Sequence, residues 1–382
     1  MIATPFDRKF PQSMRAITER AESVKGIALP NSIVRMAPLR GSMLAIFSQA
    51  PGIVMFLRSL PVAFLILTSA TAAEPTARVL ESHGYSQAIE IRLEKTKVVL
   101  CPQVGGRVLE FSQNGTDALW FDPAEKERKP GKPGPASAGR FDYGPELTVT
   151  AHPKAWAGEW TAEISRAGTV KMTSPKEDAG IQLAREFRLV RHGESVGLAC
   201  TQTMTNTGTA IREVCHWGRS FSPGGGICIV PIGDRASRFP SKYAMYEESA
   251  IINVKAADEN IRERDGCLEI LAPPRKPKLG FDSYAGWLGY AMPNGTMFVK
   301  RFATYPDRVY NEAAGLTLSV WYPTGPRIEL EPIGPRERLK VGESASFTET
   351  WWLLPQPFPK DGERLNLKAI AERVSKETIA VP

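Results

Sequence analysis

A chain of 382 residues, 42% of them apolar, has material for a sizeable core in one or two domains. Its net charge of +7 is carried mostly by the first 73 residues, where eight Lys/Arg meet three acids, so the body is nearly neutral and a weak candidate for nucleic-acid binding. The 32 glycines and 31 prolines suit many short strands joined by turns rather than a few long helices.

The N-terminal stretch reads as a leader. Met55 to Arg58 is a short positive segment, Leu60 to Leu67 an apolar run, and Ala70 to Ala73 a small-residue cleavage site. Residues 55–73 are therefore expected to be a secretory signal cleaved near Ala72 or Ala73, with 1–54 an over-extended N-terminus and the true start at Met55 or Met43. An uncleaved signal-anchor is the alternative. The apolar run is too short to span a bilayer comfortably. The mature chain is accordingly expected to be exported, periplasmic or extracellular, without stable membrane insertion. Its five cysteines, Cys101, Cys200, Cys215, Cys228 and Cys267, form no CxxC pair, which argues against a zinc knuckle or a thioredoxin motif. Most sit in apolar strand patterns and read as buried free thiols; one or two disulfides are the other reading.

From residue 86 onward the pattern alternates with period two. Ala88 to Glu94 alternates apolar and charged, Val98 to Cys101 follows a turn, and Arg107 to Phe111 runs to the hairpin signal Asn114-Gly115. Glu159 to Ser165, Val170 to Thr173, Ile181 to Val190 and Val196 to Thr205 continue the series. Gly286 to Met292 and Met297 to Phe302 flank Pro293-Asn294-Gly295, and Leu316 to Tyr322, Arg327 to Glu331 and Ser346 to Leu354 close it. Roughly fifteen to eighteen short strands predict an all-β fold, a large antiparallel β-sandwich over 86–355. Asp122 to Gly139 is a Pro/Gly/Lys-rich loop. The tail, 356–382, holds a short amphipathic helix over Leu365 to Lys376. There is no GxxxxGK[ST] loop, dinucleotide fingerprint, HExxH or GxSxG, so no cofactor and no metal are expected.

Three segments carry a resemblance. Val98 to Arg107 ends in Gly105-Gly106-Arg107 before a second strand. Met204-Thr205-Asn206 precedes Val214 to Phe221, which holds His216, Trp217 and Arg219. Arg327 to Glu331 is followed by Leu339 to Glu343 and by Trp351-Trp352. In this order they resemble the galactose mutarotase-like (aldose 1-epimerase-like) superfamily, and Tyr143 to Glu146 with Trp156 to Trp160 is similar to an uncharacterised mutarotase-like domain family. The resemblance covers about residues 86–355 and implies the supersandwich fold and a carbohydrate ligand, a mono- or oligosaccharide.

Epimerisation at C1 needs a base on the anomeric hydroxyl and an acid at the ring oxygen, with no metal. The resemblance implies a late-strand glutamate as base. Glu329 and Glu331 both match and, being two apart, share a face; Glu329 is preferred. It also implies a binding histidine, His216, beside the aromatic Trp217, the other reading being a core histidine. His152 lies on a loop and could line the same cleft. The second family histidine, the general acid, has no counterpart after His216, so either His152, Tyr305 or Tyr310 replaces it or the cleft binds without catalysis. Arg107, Arg140, Asp142, Glu146 and Arg219 are candidate polar contacts. Trp156, Trp160, Trp217 and Trp287 are candidate platforms, unless buried as core. The leading expectation is an exported carbohydrate-binding protein. An epimerase-like or other carbohydrate-active enzyme and a structural exported sandwich are the alternatives.

Overall fold

In the computed structural model, residues 73–127, 137–165, 168–248 and 251–381 are described. The expected segment 1–54 and all but the last residue of the expected signal 55–73 lie outside them, as does the middle of the Asp122–Gly139 loop. Among the described residues, strands dominate and every strand pairing is antiparallel, as the alternation implies. They form two sheets. The 13-stranded sheet runs from Thr76–Ser82 through Gly139–Gly144, Arg212–Pro223, Arg327–Pro332, Leu318–Trp321 and Lys278–Phe281 to Ile251–Asn253. The 10-stranded sheet is centred on Thr296–Phe302, Ser344–Pro355, Ser195–Asn206 and Ile181–His192. The all-β antiparallel sandwich is therefore the observed architecture.

The strands are more numerous than the alternation suggested, because pieces such as Thr116–Asp117 and Glu337–Leu339 are too short to carry a period. The first strand begins at Thr76, ahead of residue 86, and pairs along most of its length with Tyr85–Leu93. Asn114 and Gly115 both take positive φ (53° and 82°), as a tight hairpin between right-twisted strands requires. All five cysteines are free and buried. Among the described residues no helix is long and apolar enough to cross a membrane.

The core lies between the sheets. Trp351 fills its centre, stacked on Phe141 at 5.4 Å and edge-on to Phe298 at 5.5 Å. Its neighbour Trp352 points the opposite way, as period two demands, and its indole N–H donates to the Ile379 carbonyl at 3.1 Å. That outer face of the 10-stranded sheet is covered by the helix Leu367–Glu377, whose Leu367, Ile370 and Val374 pack with Trp287 and Trp352. The helix starts at an Asn366 cap that accepts the Ala369 N–H at 3.1 Å. One outer face is thus sealed by a helix. The outer face of the 13-stranded sheet carries the charged residues described next.

Candidate functional site

Period two sorts each strand of the 13-stranded sheet into an inner and an outer row. Gly139 and Phe141 meet Trp351 inside, so Arg140 and Asp142 project outward. On Arg212–Pro223, His216 and Gly218 approach Glu349 inside, so Trp217, Arg219 and Phe221 lie outside. Register then lines up the outer rows. Trp217 stands opposite Asp142 and Arg219 opposite Arg140. Phe221 and Trp321 flank Glu329 from the two sides, Ser319 faces Glu331, and Lys278 faces Trp321.

These rows build one continuous cluster. Arg219 Nε donates to Glu329 Oε1 at 2.7 Å, and its Nη1 stands 3.6 Å from Asp142 Oδ2. Asp142 Oδ1 in turn accepts from His152 Nε2 at 2.6 Å. Glu331 Oε2 accepts from the Trp217 indole at 2.8 Å and from Lys278 Nζ at 2.6 Å, while Lys278 also faces Glu146 at 3.9 Å. The Arg219 guanidinium lies over two indoles, 4.8 Å from the Trp217 ring and 5.2 Å from that of Trp156; Arg140 covers Trp156 at 4.3 Å.

Trp156 is placed by the glycine pair. Gly105 (φ +71°) accommodates the Trp156 carbonyl where a Cβ would come within 2.3 Å of it, and Gly106 (φ +51°) does the same for the Trp160 ring at 2.4 Å. A buried Arg185 fixes this turn, donating to the carbonyls of Gly105, Gly106 and Phe141 at 2.6, 2.7 and 2.6 Å.

The charges are strongly coupled. Burial disfavours the His152 cation, but the Asp142 charge and hydrogen bond raise it to about 9; its Nδ1 faces the Thr150 carbonyl at 2.8 Å, so both ring nitrogens donate. Burial alone would raise the Asp142 carboxyl, yet His152 and Arg219 hold it below the usual range. Burial likewise opposes charge on Arg219, and the surrounding Glu329, Glu331 and Asp142 keep it firmly protonated. Glu331 goes the other way. Burial, only partly offset by Lys278 and reinforced by the charge of Glu329, pushes its carboxyl up to about 7. Among the described residues Glu331 Oε1 has no partner, nor do the buried hydroxyls of Ser319, directly opposite it, and Tyr246. A carboxyl that changes charge near neutrality beside unmet polar atoms has the character of an acid–base group.

The expected site residues divide accordingly. Asp142, Glu146, His152, Trp156, Trp217, Arg219, Glu329 and Glu331, with Arg140, come together on one face. His216 does not: it lies on the opposite face of its strand, stacked on Phe347 at 4.6 Å, its Nε2 donating to Glu349 at 2.8 Å and its Nδ1 facing the Gln202 amide at 3.3 Å. Burial lowers its pKa below the ordinary value, and these partners assign a neutral Nε2–H ring. Arg107 is sealed, bound to Glu125 and donating to Tyr85 Oη at 3.1 Å with no exposed surface. Tyr305 sits apart, its ring 5.4 Å from Arg308 and its N–H donating to Tyr310 Oη at 3.1 Å. Trp160 and Trp287 are buried.

Sequence reasoning passed over Lys278, Trp120, Trp321 and Arg327. Arg327 was within reach, since it continues the odd-numbered row of Glu329 and Glu331. Lys278 and Trp321 lie on four-residue strands with no motif around them.

No family model matches the chain, and no curated protein does. Among solved structures it is similar to a galactose mutarotase-like protein from Lactobacillus casei ATCC 334, at 11% identity over 70% of this chain and 100% of that one, with a TM-score of 0.49. It is also similar to the Slr1438 protein from Synechocystis sp. PCC 6803, at 13% identity over 75% of this chain and 99% of that one, TM-score 0.49. A galactose mutarotase-like protein from Clostridium acetobutylicum aligns at 10% identity over 74% of this chain and 99% of that one, TM-score 0.44. Two of these three carry a galactose mutarotase-like name, and at 10–13% identity the likeness is similarity alone.

Proposed function

We propose that this chain is an exported carbohydrate-binding protein whose ligand lies on the outer face of the 13-stranded sheet. The observation that carries the reading is the half-buried Trp156 indole, held by the Gly105-Gly106 turn beside a strip of charged donors and acceptors: Arg219, Asp142, His152, Glu329, Lys278 and Glu146. A half-buried indole, stacked with Arg140 and Arg219, beside dense hydrogen-bonding groups offers a pyranose an aromatic edge for its C–H face and partners for its hydroxyls. The Arg219 guanidinium bridges Asp142 and Glu329 and stands between His152 and the preferred base, which favours binding over a base–acid pair acting across a sugar ring. Export rests on the anatomy of residues 55–73, and N-terminal sequencing of secreted protein checks it.

The test is calorimetry of the full chain against a panel of neutral and acidic mono- and oligosaccharides. Trp156→Ala is expected to weaken the bound sugar at least tenfold with the circular dichroism spectrum unchanged. Absence of binding to every sugar in the panel removes the reading.

A second reading, an acid–base enzyme acting on sugars, draws on Glu331 and its carboxyl near 7 with Oε1 unpartnered. Under it, NMR anomer exchange runs faster with protein than in buffer and returns to the buffer rate in Glu331→Gln. Exchange at the buffer rate with wild type leaves binding alone.

A further inference from the structure

The outer face holds a second cation–aromatic arrangement, on the far side of Glu329 from Trp156. Arg327 lies over three rings, Trp120 at 4.7 Å, Trp321 at 5.3 Å and Phe221 at 5.7 Å. Phe221 is the buried floor, and the two indoles are half-buried walls. Arg219 is engaged by two carboxylates. Arg327, by contrast, has its Nε buried without a partner, and the acid it faces, Asp122, stands 4.0 Å from Nη1. A planar guanidinium stacked on rings and short of acceptors suits a bidentate anion.

Two features of the surface agree with an anionic ligand. Glu329 and Glu331 lie beneath the cations, their side chains 3% and 0% exposed against 18% for Arg219, 16% for Lys278 and 24% for Arg327, while Asp122 (19%) and Glu146 (42%) reach the surface. Register also separates the two aromatic ends. Arg219 is level with Glu331, and Arg327 lies four residues further along that strand, about 13 Å at the usual rise per residue. That is further than one pyranose ring reaches.

We infer that Arg327, Trp120 and Trp321 form a second subsite that takes a neighbouring sugar unit bearing an anion, a uronate carboxylate or a sulfate ester. Arg327 grips the anion and the two indoles bracket the ring. The ligand is then an anionic oligosaccharide of two or more units, laid from Trp156 to Trp120 with Glu329 under the link between them. This inference rests on the carbohydrate reading above and specifies its ligand class.

The experiment uses the full chain and calorimetry. The probes are galacturonate, glucuronate and mannuronate of one, two and four units, their fully methyl-esterified tetramers, and a sulfated galactan tetrasaccharide beside its desulfated form. The acidic tetramer that binds is expected to do so at least tenfold more tightly than its ester and than its own monomer, and Arg327→Ala to bring it down to the ester's affinity. Arg327→Lys keeps the charge without the fork and falls between the two, which guards against misreading a folding defect. A preference for the sulfated probe alone supports the inference and identifies the anion. Equal affinity for acid and ester with no gain from sulfate, an acid preference that survives Arg327→Ala, or no gain from length overturns it while the carbohydrate reading stands on the neutral probes. Binding of no sugar at all takes both down.

Discussion

His152 shows how a single side chain reports the state of the whole cluster. Its imidazole donates to Asp142 and to the Thr150 carbonyl, and the folded chain holds its proton up to about 9 against an ordinary 6.5. A cationic group raised in the fold stabilises fully below its unfolded value and loses that contribution as pH rises through the folded one. Glu331 and Asp117, both pushed up to about 7 chiefly by burial, lose theirs as pH rises from the usual carboxylate range through about 7. Glu349 acts in the opposite sense. Burial is outweighed by Lys300 and His216, its carboxyl falls to about 2, and its contribution is lost as pH drops toward that value. Chemical denaturation is therefore expected to find greatest stability at about pH 5 and a steady decline toward about pH 9. Asp142→Asn removes the upper part of that decline, lowers stability at pH 6 by about 3 kcal/mol and moves the His152 titration well down from about 9 by NMR, since burial then acts without the carboxylate. A wild-type His152 that titrates below 7 contradicts the assigned ion pair.

At the scale of the element, the strand Arg212–Pro223 works on both sides of its sheet, and the neighbours His216 and Trp217 belong to different environments. This is where reading the sequence succeeded and where it misled. Parity within one strand was legible, so Glu329 and Glu331 were correctly placed on one face. Parity between strands was not legible. Whether residue 216 shares a face with residue 329 depends on register across the Phe221–Glu329 pair, which no local pattern fixes. The inner row has its own logic. A Cβ on Gly218 would lie 1.8 Å from Glu349 Oε1, so glycine makes room for the carboxylate that His216 and Lys300 share, the latter at 2.9 Å. Glu349→Gln leaves Lys300 buried without its anion and is expected to cost about 3–5 kcal/mol in denaturant unfolding, a typical loss when one member of a buried pair is removed. Under the proposed carbohydrate reading, sugar affinity per folded molecule is expected to stay within twofold. A large loss of affinity at unchanged stability would instead give His216 a part in the site.

At the scale of the molecule, the two outer faces differ, one packed by a helix and the other lined by charged and aromatic side chains. The sandwich class was legible because alternation recurs along most of the chain, and the terminal helix because its apolar residues fall at helical spacing. Strand order was not, since Gly139–Gly144 pairs with Arg212–Pro223 across a long stretch of intervening chain that builds the other sheet. The helix Leu367–Glu377 closes the 10-stranded sheet with Leu367, Ile370 and Val374, whereas Trp156, Arg219, Lys278, Trp321 and Arg327 on the outer face of the 13-stranded sheet stay part-exposed. Truncating Ile370 to Ala removes buried methylenes against Trp352 and is expected to destabilise by about 2–5 kcal/mol. The face it disturbs is separated from the site by two sheets and the intervening core, so the sugar dissociation constant should remain within twofold at a temperature where the variant is folded. Thermal melting paired with calorimetry checks this. A parallel loss of stability and affinity would mean that the helix-covered sheet and the sheet proposed to take the ligand respond as one unit, and that the proposed site owes its shape to the packing of the opposite face.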